Sequence, residues 1–328
     1  MSNPFFSVVV PCYNVDKYLV EAVRSVESQD FTDYEMILID DGATDNTGKI
    51  CDQLAEQDSW IHVIHQKNAG LSEARNSGMK IAVGEYFILL DSDDRLSPGS
   101  MINLKNAIEK QNYPDFIISR RESFEDGSDA IKPCAYQFDI PRLSKLKSSE
   151  VYTEIEEYPD CWLGAWIFTI SKDYFEKKGL TFYPGILHED EEWVPRVFFN
   201  TQRIGFNNFS LYQNRTEREG SITATKNIKR LQDKLLIIDL LDKEFNSDEY
   251  SVDIKIAVHK RSASILFGVI KDFSQYEKSD RLLSIKKDVE SKSSLLRTSH
   301  ILKYLPFYII LKLAGPETCS KVICKVTN

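Results

Sequence analysis

The sequence predicts an α/β protein in which a mostly parallel, Rossmann-like sheet carries helices on both faces and a helical extension follows at the C-terminal end. Three patterns predict it. Short apolar, β-rich runs alternate with stretches of helical spacing over residues 1–112. Each of those runs ends in a polar loop. Beyond residue 225 the apolar positions follow a helical period alone.

FFSVVV (5–10) is the first expected strand, and Leu19, Ala22, Val23 and Val26 behind it fall on one helical face. MILI (36–39) is the second, followed by a helix carrying Ile50, Cys51, Leu54 and Ala55. IHVI (61–64) is the third, with a helix from Ser72 to Val83 that Gly84 closes. YFILL (86–90) is the fourth, and Ser97-Pro98 supplies a cap and a first-turn proline for a helix over 98–111. DFIIS (115–119) is the fifth. Strands separated by helices of this length pair in parallel and are covered on both faces. The alternation then breaks, and residues 121–160 read as loops or short elements because polar and turn residues dominate. Farther on, Leu231, Leu235, Ile238, Leu241 and Phe245 form one helical stripe and Ile265, Leu266, Val269 and Ile270 another. The chain therefore divides into 1–112, 113–225 and 226–328.

The net charge of -9 opposes a general nucleic-acid binder, which needs surplus Lys and Arg to displace phosphate counterions. The charge is uneven: residues 1–225 hold 22 basic and 37 acidic side chains, residues 226–328 hold 19 and 13. The six cysteines show no CxxC pair and no dense disulfide spacing, so reduced thiols are expected. Met1–Phe6 has no basic n-region and the apolar run ends at Pro11, so the chain is expected to be cytoplasmic.

In parallel α/β sheets ligands bind beyond the carboxyl ends of the strands. Here those ends run into Pro11-Cys12-Tyr13-Asn14, Asp40-Asp41-Gly42-Ala43-Thr44-Asp45, Lys67-Asn68-Ala69-Gly70 and Asp91-Ser92-Asp93-Asp94. Three carboxylates crowded after one strand repel unless a cation or donors offset them. Divalent Mg2+ or Mn2+ suits carboxylate oxygens, and Mg2+ is held by one or two carboxylates plus substrate phosphates. Taken alone, the cluster reads equally as an acidic helix start, and Asp40-Asp41-Gly42 as a tight turn with glycine at positive φ.

Taken together, SVVVPCYNVDKYLVEAVRSVESQDF, EMILIDDGATDNT and NAGLSEARNSGMKIAVGEYFILLDSDD closely resemble the family 2 glycosyltransferases of the GT-A fold. The resemblance implies that Asp40 reads the nucleotide base, with Pro11 and Tyr13 forming the rest of its pocket, and that Asn14, Asn68 and Gly70 belong to the nucleotide-sugar site. It places Arg75 and Asn76 near the nucleotide, Asp91 against the ribose and metal, and Asp93 as the metal ligand of a DxD motif. Ser92 and Asp94 complete the donor side, Asp94 as a helix-start or donor-sugar contact. The halves 1–112 and 113–225 would then bind donor and acceptor.

Gly185-Ile186-Leu187-His188-Glu189-Asp190-Glu191-Glu192-Trp193 reads by itself as a solvated acidic helix start. The resemblance assigns Asp190 as general base, with Glu189 the alternative. His188 reads as an ordinary hydrogen-bonded side chain, and Trp166 as core or an acceptor platform. Tyr212–Ile222 resembles the family's closing loop, where Arg215, Arg218 and Ser221 would fold over the donor diphosphate, although Asn214 stands where the family has Tyr. The implied reaction is an inverting transfer of a hexosyl or N-acetylhexosaminyl group from a UDP-sugar to a lipid-linked or polysaccharide acceptor. A single base and a metal-bound leaving group separate it from glycoside hydrolysis, which needs two opposed carboxyls.

Segment 300–314, with Lys303 and Lys312 among aromatic and aliphatic residues, is too short to span a bilayer and fits a helix lying at an anionic membrane surface, or one docked on the protein. Two other classes are disfavoured. A receiver domain would need an acidic residue ending the third strand, which here runs into His65-Gln66, and a dinucleotide-binding oxidoreductase would need a glycine-rich turn where Pro11–Asn14 stands.

Overall fold

A computed structural model of the chain describes residues 3–218, 227–299 and 301–327. Two compact units form, Met1–Gly185 with Arg196–Glu219, and Ile186–Pro195 with Gly220–Asn328.

The first unit holds the strands of the described residues: β1 (Phe6–Cys12), β2 (Tyr34–Asp40), β3 (Ile61–His65), β4 (Tyr86–Leu89), β5 (Arg95–Leu96), β6 (Phe116–Glu125), β7 (Lys132–Pro133), β8 (Phe168–Ser171) and β9 (Ile204–Thr216). They make one nine-stranded sheet in the order β3-β2-β1-β4-β8-β6-β9-β5, with β7 attached to β6. β1 pairs in parallel with β2 and β4, and β2 with β3. Every residue of β1, β2 and β4 is buried, which is why these strands are continuous apolar runs rather than alternating ones. Helices α1 (Leu19–Glu27), α2 (Thr47–Gln57), α3 (Leu71–Ile81) and α4 (Ser100–Lys110) separate the early strands; α3 packs on β1 and β2, and α2 on β2 and β3. Beyond β4 the sheet turns mixed, because β8 enters antiparallel between β4 and β6 while β9 runs parallel to β6.

Several boundaries differ from expectation for local reasons. α4 starts at Ser100 rather than residue 98: Gly99 sits at φ 71 and the Ser100 N–H closes a turn onto Ser97 O. Gly84 does not end α3, whose cap is Ala82. It lets β1 approach instead, since a Cβ there would stand 2.6 Å from the Ser7 nitrogen. β6 runs on to Glu125 because β9 pairs along it as far as Glu125↔Thr216, across a register shift at Arg120. Helices α5 (Ile140–Leu143), α6 (Ser148–Glu156), α7 (Lys172–Lys178) and α8 (Glu189–Phe199) follow in chain order. α6 gives regular structure to part of the region expected as loops, and it does so by burying Val151, Tyr152 and Ile155. Tyr152 packs edge-on against Phe198, and Phe198 against Phe116, ring centroids 5.0 and 5.2 Å apart.

The second unit is helical: the start of α8 with α9 (Lys229–Phe245), α10 (Val252–Asp272), α11 (Asp280–Lys292), α12 (Ser294–Thr298) and α13 (Leu305–Thr327). Both expected stripes are buried, Leu231 to Phe245 on α9 and Ile265 to Ile270 on α10. α13 bends at Gly315, φ 77, before Pro316. Among the described residues, no helix is long and apolar enough to cross a membrane.

Candidate active site

The first three loops are fastened to one another at the carboxyl end of β1, β2 and β3. The Asp41 N–H donates to Cys12 O at 2.9 Å, and Asn14, at φ 52, accepts the Thr44 N–H at 2.8 Å. Asp41 is buried and accepts from the backbone N–H groups of Ala69 (2.9 Å) and Gly70 (2.8 Å) and from Gln66 Nε2 (2.7 Å). Gly42 sits at φ 68 with room for no side chain, because a Cβ would meet the Asn68 nitrogen at 2.7 Å. Asp41 is therefore the residue that shapes this edge. Its role was not read from the sequence, though an acidic pair directly at a strand end is the signal that carries it.

Asp40 lies alongside, also buried. Its Oδ1 accepts the Ala43 N–H at 2.9 Å and its Oδ2 lies 2.8 Å from His65 Nδ1, while His65 Nε2 lies 2.9 Å from Asp52. Gly48 makes room for this carboxylate, as a Cβ there would stand 2.6 Å from Oδ2. The hydrogen bonds to Asp40 and then Asp52 raise the His65 pKa above its usual value. A pKa raised on folding gives stability that is full below about pH 6.5 and is lost as pH rises through the folded value. Replacing His65 with Gln should flatten that segment of a plot of urea midpoint against pH. An unchanged slope between about pH 6 and 8 would mean that the pair contributes nothing.

The acidic turn is built differently. Asp94 N–H closes a turn onto Asp91 O at 3.0 Å, and β5 follows at once, pairing Arg95 with Gln213 and Leu96 with Tyr212 of β9. That pairing delivers the Tyr212 hydroxyl, which donates to Asp94 Oδ2 at 2.8 Å and accepts the Asp91 N–H at 3.0 Å. It also delivers Arg215, whose N–H donates to Asp94 Oδ1 at 2.6 Å and whose Nε donates to Asp93 O at 2.7 Å. The Arg215 guanidinium pairs with Asp126 and Glu21 and lies over the Phe124 and Tyr18 rings, 4.5 and 4.8 Å from their centroids.

Each of the other two carboxylates meets a guanidinium. Arg75, 1% exposed, holds Asp91 at 2.8 Å, and Arg218 Nε lies 2.8 Å from Asp93 Oδ2. Burial, and next the charge of Asp91, raise the Asp93 pKa; burial, then Asp93 and Asp91, push Asp94 well above the carboxylate range. Ionising the turn is therefore costly, chiefly because it is shielded from water and its carboxylates crowd one another, with Arg75, Arg215 and Arg218 offsetting part of that cost. Its hard oxygens suit Mg2+ or Mn2+. Among the described residues, no group of three His, Cys, Asp or Glu side chains is gathered around one metal position. Asp91 and Asp93 are the half-buried carboxylates of the turn, a number that matches a cation held by one or two carboxylates together with substrate phosphates.

The remaining expected residues are placed as follows. Pro11 and Ser92 are buried, while Tyr13 and Asn68 are exposed at the same sheet edge. Asn76 is committed to Phe182, giving to its O at 2.9 Å and accepting from its N–H at 2.8 Å. Trp166 is buried and stacks on Tyr212 at 4.5 Å, so it serves the core. Ser221 lies outside the described residues. Glu189, buried, and Asp190, half-buried, open α8 within the second unit.

The sequence model of the family described as glycosyl transferase family 2 matches residues 7–183. Glycosyltransferase GlyG of Streptococcus pneumoniae is 32% identical over 238 residues, covering 68% of this chain and 74% of that protein. Among solved structures, S. aureus TarS 1-349 in complex with UDP-GlcNAc aligns over 99% of this chain and 92% of its own, with a TM-score of 0.71 at 17% identity. The mannosyltransferase PcManGT from Pyrobaculum calidifontis, in complex with GDP-Man and Mn2+, aligns over 100% and 88%, with a TM-score of 0.57 at 15% identity.

Proposed function

The chain belongs to glycosyl transferase family 2, and we propose that it is an inverting, metal-dependent enzyme that moves a hexosyl or N-acetylhexosaminyl group from a UDP-sugar to a glycan hydroxyl during polysaccharide, capsule or lipopolysaccharide synthesis. The observation that carries this reading is the turn Asp91–Asp94, where three carboxylates crowd together, Asp94 buried and Asp91 and Asp93 half-buried, on the same sheet as the loops ending β1, β2 and β3. The UDP-GlcNAc bound to TarS supports a UDP-sugar donor, and Mn2+ with PcManGT supports a divalent metal.

In this reading Pro11, Tyr13 and Asp40 hold the base, and Asn14, Asn68 and Gly70, on the loops ending β1 and β3, contribute to nucleotide-sugar binding. Asp93 and Asp91 would hold the cation, whose chemistry is to neutralise charge on the departing diphosphate. Arg75, Arg215 and Arg218 add fixed positive charge on the donor side. Asp190, or in its place Glu189, takes the proton from the acceptor hydroxyl as that oxygen bonds to the anomeric carbon. The bond from that carbon to the diphosphate breaks, its electrons leave on UDP, and one in-line displacement inverts the centre. A panel of UDP- and GDP-sugars scored for nucleotide release, with and without Mn2+, tests the reading. Release from no donor, or release indifferent to metal and chelator, overturns it.

A lipid-linked or polysaccharide acceptor at the inner face of the cytoplasmic membrane fits the tail. Leu302, Leu305, Ile309 and Leu313 are exposed and recur every three or four residues, with Lys303 and Lys312 exposed among them. Such a stripe suits an interfacial helix on anionic lipid. Changing Leu305, Ile309 and Leu313 together to Gln should abolish co-sedimentation with phosphatidylglycerol vesicles, and unchanged sedimentation would refute the contact.

A further inference from the structure

The segment that opens α8 is not self-supporting. His188 sits at φ 63, a left-handed conformation uncommon for a side chain of this kind and retained only where surroundings over-determine it. Those surroundings are supplied, within the second unit, by α9 and α10. Asp233 of α9 is buried, and its Oδ2 accepts the Leu187 N–H at 2.8 Å while Lys229 neutralises it. Arg230, one turn away, gives its Nε hydrogen to His188 Nε2 at 3.2 Å. Arg261 of α10 pairs with Glu191.

These contacts have distinct chemical roles. An imidazole nitrogen that accepts from a guanidinium carries no proton of its own, so His188 is held neutral. Burial, and next the charge of Lys234, lower its pKa to about 4. A charged imidazole beside Glu189-Asp190-Glu191-Glu192 would pair with a carboxylate of that run and blunt it as a base; a neutral one does not. Asp233 acts on the backbone instead. By engaging the Leu187 N–H it fixes the approach to the first turn of α8, where Glu191 N–H bonds His188 O at 3.0 Å and Asp190 begins its helical path.

We infer that the C-terminal helices set the geometry of the catalytic base, with Asp233 as its positioning residue acting through the Leu187 N–H. This rests on the reading of Asp190 as the base. The hold of an α9 carboxylate on the Leu187 N–H bears on the placement of Asp190 within the second unit, and misplacing a reacting group by about 1 Å can cost on the order of a hundredfold in rate.

Three variants test it in the full chain, with the donor that the panel identifies. Asp233→Asn keeps an oxygen for the Leu187 N–H and should retain turnover within about threefold. Asp233→Glu keeps the charge but shifts that oxygen by a methylene, and Asp233→Ala removes it. Both should lower kcat by roughly ten- to a hundredfold, with donor KM and calorimetric UDP affinity within about twofold of the parent. If Asp233→Ala does not fold, the Glu variant alone decides. Parental kcat in the Glu variant overturns the inference, as does a fall in kcat, UDP affinity and melting temperature together, which marks a merely structural role. Asp190→Asn separates the two readings: if it stays active, the base assignment fails, whereas an inactive Asp190→Asn beside a fully active Asp233→Glu defeats the positioning alone.

Discussion

Asp93→Asn will lose about three orders of magnitude in turnover, yet without donor it will melt no lower than the parent. Both halves follow from the electrostatics of the turn. Burial and the neighbouring charge of Asp91 raise the Asp93 pKa on folding, so its ionised form costs stability at neutral pH and the cost vanishes as pH falls through the folded value. Removing the charge removes that cost. The same charge is what would hold a divalent cation, and its loss leaves the departing diphosphate without a neutralising partner. Calorimetry with UDP and Mn2+ should show the metal-dependent part of binding gone. Full turnover in the variant would sink the assignment, and turnover that falls only in step with unfolding would reassign Asp93 to the fold.

Asp190→Asn should lower kcat by about 10²- to 10⁴-fold, the range for a positioned general base. UDP affinity and donor KM should hardly move, because the acceptor proton is transferred only as the new bond forms. Glu189→Gln is the informative companion. Glu189 is buried whereas Asp190 is half-buried, and a base must meet solvent-delivered acceptor, so the Gln variant should keep most of its rate. A greater loss for Glu189→Gln than for Asp190→Asn would exchange the two roles.

The parallel half of the sheet was legible because β1, β2 and β4 bury both faces, which leaves unbroken runs such as FFSVVV and MILI that nothing else explains. The polar ends of those strands were legible as a candidate site for the same reason, since a strand end is where apolar need stops. What lay hidden was pairing over long separations. Nothing local to Arg95-Leu96 announces a strand, because its partner lies at Tyr212-Gln213. Likewise Asp233 looks like a surface residue among Lys229, Arg230 and Lys234 until its backbone partner at Leu187 is known. The boundary misreadings at Ser97-Pro98 and Gly84 share one cause: each residue obeyed a helix-end rule, while Gly99 at φ 71 and the approach of Ser7 imposed a tighter demand.

The two-residue strand β5 also bears on how much chain makes a minimal donor site. The family's sequence match ends at residue 183, but the turn Asp91–Asp94 is clasped by Tyr212 and Arg215. A fragment trimmed to the matched region would keep every aspartate of the motif and lose the clasp, so the acidic turn would be spelled but not assembled. Whatever the length of chain between β6 and β9, it must return Tyr212 to Leu96 in register for the turn to be clasped.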